Sequence, residues 1–156
     1  MNPDWILWLH ASVNKWFADV ATAAGLPFFI EGGGRDAIVN QRDYVEIRLT
    51  GPVIEEYSKG FFKLLVEINL FIVSRDDDQD AYKIYRNAGA MLAGFTHGIP
   101  VYQYAVGVDD PPLLGCLQQT EVGGKCLIVG EIGQIDPDMA QREQSLSGYY
   151  ELYLSN

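Results

Sequence analysis

From Phe61 to Val73 the chain alternates without a break. Phe62, Leu64, Val66, Ile68, Leu70 and Ile72 are all apolar, while Lys63, Glu67 and Asn69 interrupt the positions between them. Side chains repeat every second residue in a strand, so these six residues share one face of a sheet, and that face is core. Whatever else the chain does, it must cover them.

The other periodic segments are read around this strand. Tyr44 to Thr50 sets Val45, Ile47 and Leu49 against Tyr44, Glu46 and Arg48, the pattern of a half-buried strand, which Gly51-Pro52 is expected to break. Ser147 to Leu154 sets Tyr150, Leu152 and Leu154 against Tyr149, Glu151 and Tyr153. From Val101 the chain is extended and polar-aromatic (Tyr102, Gln103, Tyr104), and it turns at Asp109-Asp110-Pro111-Pro112. Leu114 to Glu121 and Lys125 to Ile135 read as two arms of a hairpin about Gly123-Gly124.

Two segments carry a helical period instead. Asn2-Pro3 offers a cap followed by proline at the first helical position, Gly25-Leu26-Pro27 stops the helix, and Ile6, Leu9, Val13, Trp16, Phe17, Val20 and Ala24 recur on one face. Trp5 and Trp8 fall outside that stripe, where they either widen the buried face or contact a partner. From Ala81, the residues Ile84, Tyr85, Ala88, Met91, Leu92 and Phe95 share a face with it, and Gly98 and Pro100 are expected to end the helix. The order helix, two strands, helix, hairpin, strand predicts an α+β domain. Its sheet is expected to be largely antiparallel but mixed, with about four to six strands flanked by two main helices. A single domain over residues 1–156 is expected, with an extended arm or hairpin around 99–135.

Charge and composition narrow the function classes. Hydrophobic residues make up 48% of the chain, and 21 acidic against 11 basic residues leave a formal charge of −10. Lys and Arg are scattered, which argues against a tight phosphate-binding groove; an acidic surface suits a channel that lets a polyanion pass without sticking. Cys116 and Cys126 flank the Gly123-Gly124 turn; a simple hairpin register sets Cys126 opposite Glu121 and points Cys116 to the other face, so free thiols in a reducing compartment are expected. The start MNPDWILWLHASVNKW has no basic leader before an apolar run, and no apolar stretch approaches the ~20 residues of a membrane span. A soluble chain made in the cytoplasm is expected.

The segment DDDQD, Asp76 to Asp80, begins like a calcium loop with acids at alternate positions, but Ala81 and Asn87 stand where that loop needs glycine and a bidentate glutamate. Capping of the second helix by Asp78 or Asp80 explains its position without a cation. No metal is expected. His10 and His97 lack metal spacing, and His97 near a helix end is accounted for by the helix dipole. The glycines of FIEGGGRDA and EVGGKCLIVGEIG fit neither the dinucleotide fingerprint nor the phosphate loop, and Ser145 and Ser147 do not lie in GxSxG. No local catalytic or cofactor signature remains, although a site assembled from distant residues leaves no such trace.

The long first helix, the strand YVEIRLTG from Tyr44 to Gly51 leading through Glu55-Glu56-Tyr57-Ser58-Lys59-Gly60, the long strand to Val73, the second helix and the final strand GYYELYL resemble the tail terminator proteins of long-tailed bacteriophages. The resemblance covers most of the chain in order and pattern. It implies a small α/β or α+β protomer that forms a hexameric ring on the last ring of the tail tube, stops polymerisation and meets the head connector or stopper protein. DNA would pass through its lumen. It implies a virion protein made in the host cytoplasm, not an enzyme, with no cofactor and no membrane. The segment Val101 to Ile135 is longer than the family pattern, which leaves open another neck or tail-completion component. Two different classes stay open beside it: a small cytoplasmic protein-binding module that uses a sheet edge, and an enzyme with a non-local site. Candidate subunit or partner contacts are Trp5, Trp8, Gly33 and Arg35 of the glycine loop, and Tyr102 and Tyr104, which could equally cover the domain's own core. Asp76 and Asp77 are candidates for an acidic rim or lumen.

Overall fold

The computed structural model describes residues 1–31, 42–75, 81–136 and 141–156. The expected α+β architecture is present, built among the described residues on a seven-stranded curled sheet, a half-barrel, with two helices. The elements in chain order are α1 (Trp5–Ala23), β1 (Phe28–Ile30), β2 (Tyr44–Ser58), β3 (Phe61–Arg75), α2 (Lys83–Leu92), β4 (Ile99–Tyr102), β5 (Leu113–Gln119), β6 (Leu127–Asp136) and β7 (Gln141–Ser155). The strand order is β1-β2-β3-β7-β5-β4, with β6 also paired to β7. Among the described residues only β1, against β2, is parallel. The sheet is wider than the four to six strands expected because β1, too short to show a period, adds an edge.

β3 is the centre. It pairs along its whole length with β7, from Phe61 opposite Ser155 to Arg75 opposite Gln141, and on its other edge with β2. The register stacks Ile47, Leu70 and Leu146 in one row and Ile54, Leu64 and Leu152 in another. The six alternating residues of β3 are all buried, as their period requires. Both helices lie on this face and share its core cluster. Trp5 of α1 meets Phe62 edge-on with ring centres 5.4 Å apart, and Phe17 meets Phe95, just beyond α2, at 5.0 Å.

The buried stripe of α1 differs from the expected one. Trp5, Leu9, Ser12, Val13, Phe17 and Ala21 face the core, whereas Ile6 is about half exposed and Ala24 lies outside the helix. The helix is apolar on most of its circumference, so several stripes satisfy the period, and the sheet selects the one that carries Trp5. Its start is displaced too. Asp4 occupies the cap position, and the Asn2 side chain instead accepts the Asp4 N–H at 2.9 Å in the turn before it.

Gly51-Pro52 does not end β2. The strand bulges there, between Thr50 and Val53, and continues to Ser58, because β3 is long enough to pair with both halves. Gly51 is at φ +97°, and a Cβ would stand 3.0 Å from the Leu65 carbonyl oxygen, so this bulge needs glycine. α2 is shorter than its apolar pattern. It begins after Tyr82 with no side-chain cap and ends at Leu92, leaving Phe95 to enter the core from the following turn and His97 exposed beyond the reach of the helix end. The aspartates proposed to cap it lie outside the described residues.

The Gly123-Gly124 turn forms as read, with both glycines at positive φ and Val122 and Lys125 exchanging backbone hydrogen bonds of 2.9 and 3.2 Å. Its arms do not pair further. Both β5 and β6 add to β7, one beyond the other: the Tyr149 carbonyl accepts from the Thr120 N–H at 3.0 Å, and the Tyr149 N–H donates to the Cys126 carbonyl at 3.0 Å. Residues 121–125 are thus an excursion from what is otherwise one edge of β7. Cys116 and Cys126 are half-buried and unbridged.

Buried polar groups tie the layers together. Ser12 Oγ in α1 accepts the Tyr102 N–H at 2.9 Å, and the Trp16 indole donates to the Gly94 carbonyl at 2.9 Å. The Tyr150 hydroxyl donates to the Thr96 carbonyl at 3.0 Å and lies 3.2 Å from Gln119 Nε2, which also donates to the Phe95 carbonyl. Burial pushes the Tyr150 phenol up to about 12. Phe95 itself rests on Gly148, where a Cβ would stand 2.7 Å from its ring. With Phe17 behind it the ring has no retreat, so Gly148→Ala is expected to destabilise the protein by roughly 1–3 kcal/mol, measured by urea denaturation.

Candidate assembly surface

The face of the sheet turned away from the helices has a different chemistry. Across β2, β3 and β7 its rows read Tyr44-Val73-Glu143, Glu46-Phe71-Ser145, Arg48-Asn69-Ser147, Thr50-Glu67-Tyr149, Val53-Leu65-Glu151 and Glu55-Lys63-Tyr153. One half is polar and internally bonded. Ser147 Oγ donates to Asn69 Oδ1 at 2.7 Å, and Arg48 pairs with Glu46 at 2.7 Å with its guanidinium over the Phe71 ring. Glu143 stands beside this pair. Burial pushes its carboxyl up, Arg48 pulls it partly back, and Glu46 adds to the rise.

The other half sets exposed aromatics among Glu55, Lys63, Glu67 and Glu151. Tyr57, Phe61 and Tyr153, each about half exposed, form a ring cluster at the β2–β3 turn, with Tyr57 edge-on to Tyr153 at 5.7 Å and 6.3 Å from Phe61. Next to it an apolar cleft of about 160 Å³ opens between the β2 bulge and the 121–125 excursion, lined by Thr50, Gly51, Val53, Leu65, Glu67, Val122 and Tyr149. Exposed aromatic and branched residues of this kind are enriched where proteins meet.

The sheet also has open edges. Beyond Ile47 and the Glu31 N–H that bonds to it, the outer edge of β2 has no strand partner among the described residues, and neither has the outer edge of β6. β4, by contrast, is covered by α1, whose Ser12 takes the Tyr102 N–H.

Of the residues singled out in the sequence, Trp5 is a correction: only 3% exposed and packed on Phe62, it is core and no surface contact. Trp8 is half-buried, its indole donating to the Tyr104 carbonyl at 3.0 Å. Tyr102 and Tyr104 are half-buried as well, 6.1 Å apart, and with Ser12, Trp16 and Pro100 they line a groove of about 240 Å³. They cover the core and face solvent at once. Gly33, Arg35, Asp76 and Asp77 lie outside the described residues. The aromatic cluster was missed because register, not sequence proximity, brings Tyr57 and Phe61 to Tyr153; the signal available was the solvent-side alternation of Tyr149 and Tyr153.

Among the described residues no group of three His, Cys, Asp or Glu side chains is placed to hold a metal, and no helix is long and apolar enough to cross a membrane. His10 lies near the Gly51 backbone; its Nε2 is buried without a hydrogen-bond partner among the described residues, and burial lowers its pKa while the Gly51 contact raises it in part. No family model matches this chain, and no curated protein matches it.

The raised Glu143 pKa has a defined consequence for stability. The fold holds the proton more tightly than the unfolded chain, so this contribution is full below the ordinary value of 4.5 and is lost as pH rises through the higher folded value. Glu143→Gln is expected to melt at a higher temperature than the parent at pH 7. Below pH 4 the difference should vanish, which a pair of calorimetric scans would show.

Proposed function

We propose that this chain is a ring-forming structural protein of a bacteriophage neck or tail, a tail terminator that caps the tail tube, stops its polymerisation and joins it to the head connector. The observation that carries the reading is a pair of edges on opposite sides of the sheet that have no strand partner among the described residues. Strand direction alternates through β2, β3, β7 and β6, so β6 of one copy runs antiparallel to β2 of a neighbour in the same orientation. The antiparallel ladder continues across such a joint.

A contact between two different surfaces of one chain is heterologous, and repetition with rotation closes a ring. The level of the edges matters as well. β6 runs beside the first half of β7, whereas the free part of β2 lies level with its second half, so the joined strands are staggered, as strands are when a sheet closes on itself. In a closed ring of this kind the face opposite the helices can line the lumen. On β2, β3 and β7 its charged groups are Glu46, Glu55, Glu67, Glu143 and Glu151 against Arg48, Lys63 and Arg75, an excess of carboxylates that repels a passing polyanion.

The free β2 edge also suits an adaptor that binds an extended peptide as an added strand. Light scattering and negative-stain electron microscopy, with and without tail tubes, separate the two readings. The ring reading expects annular particles, free or at tube ends, and a strict monomer that leaves tubes unbound overturns it. Val129, half exposed on β6, gives the second test: lysine on an edge strand opposes pairing, so Val129→Lys is expected to prevent ring formation without lowering the melting temperature.

A further inference from the structure

The connection between β4 and β5 is built around an exposed apolar tip. Its base is closed, with the Gln103 N–H donating to the Pro112 carbonyl at 2.9 Å and the Trp8 indole to the Tyr104 carbonyl at 3.0 Å. At the tip Ala105 to Val108 make a turn closed by the Val108 N–H on the Ala105 carbonyl at 3.2 Å, with Gly107 at φ +79°, the arrangement that places glycine third in a type II turn. Val106, second in the turn, is fully exposed, and Val108 is 47% exposed. Asp109 and Asp110 follow directly, both in solvent. A solvated turn has no use for two branched apolar side chains, and this one is held rigidly at its base.

The complement of this tip is on the same chain. The cleft on the outer sheet face, walled by Val53, Leu65, Val122 and Tyr149, has about 160 Å³. That is several times the ~30 Å³ of a water molecule and is room for one branched aliphatic side chain. Gly51 leaves its mouth open at the bulge, and the tight turn holds Val122 over the sheet. Lys125, opposite Val122 in that turn, is exposed and makes no ion pair among the described residues. Glu67 is the acidic group in the lining, so an apolar tip is accepted where a carboxylate is not.

We propose that the Val106 tip of one copy inserts into the Val53–Leu65–Val122–Tyr149 cleft of a second copy, with Asp109 and Asp110 outside it facing Lys125. Tip and cleft are different surfaces, so one such contact leaves a free tip on one copy and a free cleft on the other, and the contact can repeat head to tail. It rests on the head-to-tail reading of the ring and adds a second contact to it.

Sedimentation equilibrium of the full chain at tens of micromolar tests this contact without tail tubes. The parent is expected to associate above its 17.4 kDa monomer. Val106→Asp is expected to weaken association on the order of tenfold to a hundredfold, the effect of losing one buried valine. Lys125→Asp alone and Asp109→Lys with Asp110→Lys are each expected to weaken it, and a chain carrying all three changes to recover it. Mixing the two charge-reversed chains should restore assemblies in which they alternate. A parent that does not associate, a Val106→Asp chain that associates like the parent, or a triple variant no better than its parts overturns the contact. If Val129→Lys abolishes association while Val106→Asp does not, the edge joint stands and the tip contact falls. The converse result removes the edge joint and retains the tip.

Discussion

One apolar face of β3 has to be hidden, and most of the structure is the means of hiding it. Paired on both edges along most of its length, β3 keeps its six apolar side chains in one continuous strip that another layer must cover. α1 and α2 supply that layer, and α1 is held by few but specific groups: Phe17 against Phe95, Trp16 to Gly94, Ser12 to Tyr102. Because both helices go to the same side, the opposite face is left to solvent or to partners. The division of the molecule into a dry face and an available one follows from that choice.

How legible each part was depends on whether one strand or several decide it. β3 and the second half of β7 could be read residue by residue, since a period of two with one apolar parity has a single solution. α1 could not be oriented, because its apolar residues run nearly all the way round and only the position of Phe62 tells Trp5 from Ile6. Gly51-Pro52 reads as a stop in isolation; pairing with an uninterrupted β3 converts it into a bulge. The Gly123-Gly124 turn was visible in its two glycines, but the destination of its arms was not, because β6 finds a long ladder on β7 while β5 is taken up by β4 and by a short stretch of β7. The outer aromatic cluster needs the registers of three strands at once, and no local pattern contains them.

The available face combines two chemistries in one sheet. Its polar half is satisfied internally, by Asn69 with Ser147 and by Arg48 with Glu46 over Phe71, and asks little of a partner. Its aromatic half, with the neighbouring cleft, leaves apolar surface in water. The two chemistries lie toward opposite ends of the same strands, with carboxylates at both: Glu46 and Glu143 at one end, Glu55, Glu67 and Glu151 at the other. The ring reading uses both, whereas an adaptor would need only the second.

The pairing of Phe61 with Ser155 also sets the order in which this chain can fold. When β2 and β3 have formed their hairpin, the strip on β3 is already assembled, yet one edge of that strand waits for residues 141–155, which are made long after it. Until then a long, flat and strongly apolar strand has a bare edge, the form most prone to pair with another chain. The excursion at 121–125 eases the final step, since β5 and β6 can both close on β7 once it arrives without first separating from each other. Nascent chains crowded together during synthesis therefore meet their greatest hazard before β7 docks, and the speed of that docking decides whether the sheet grows within one molecule or between two.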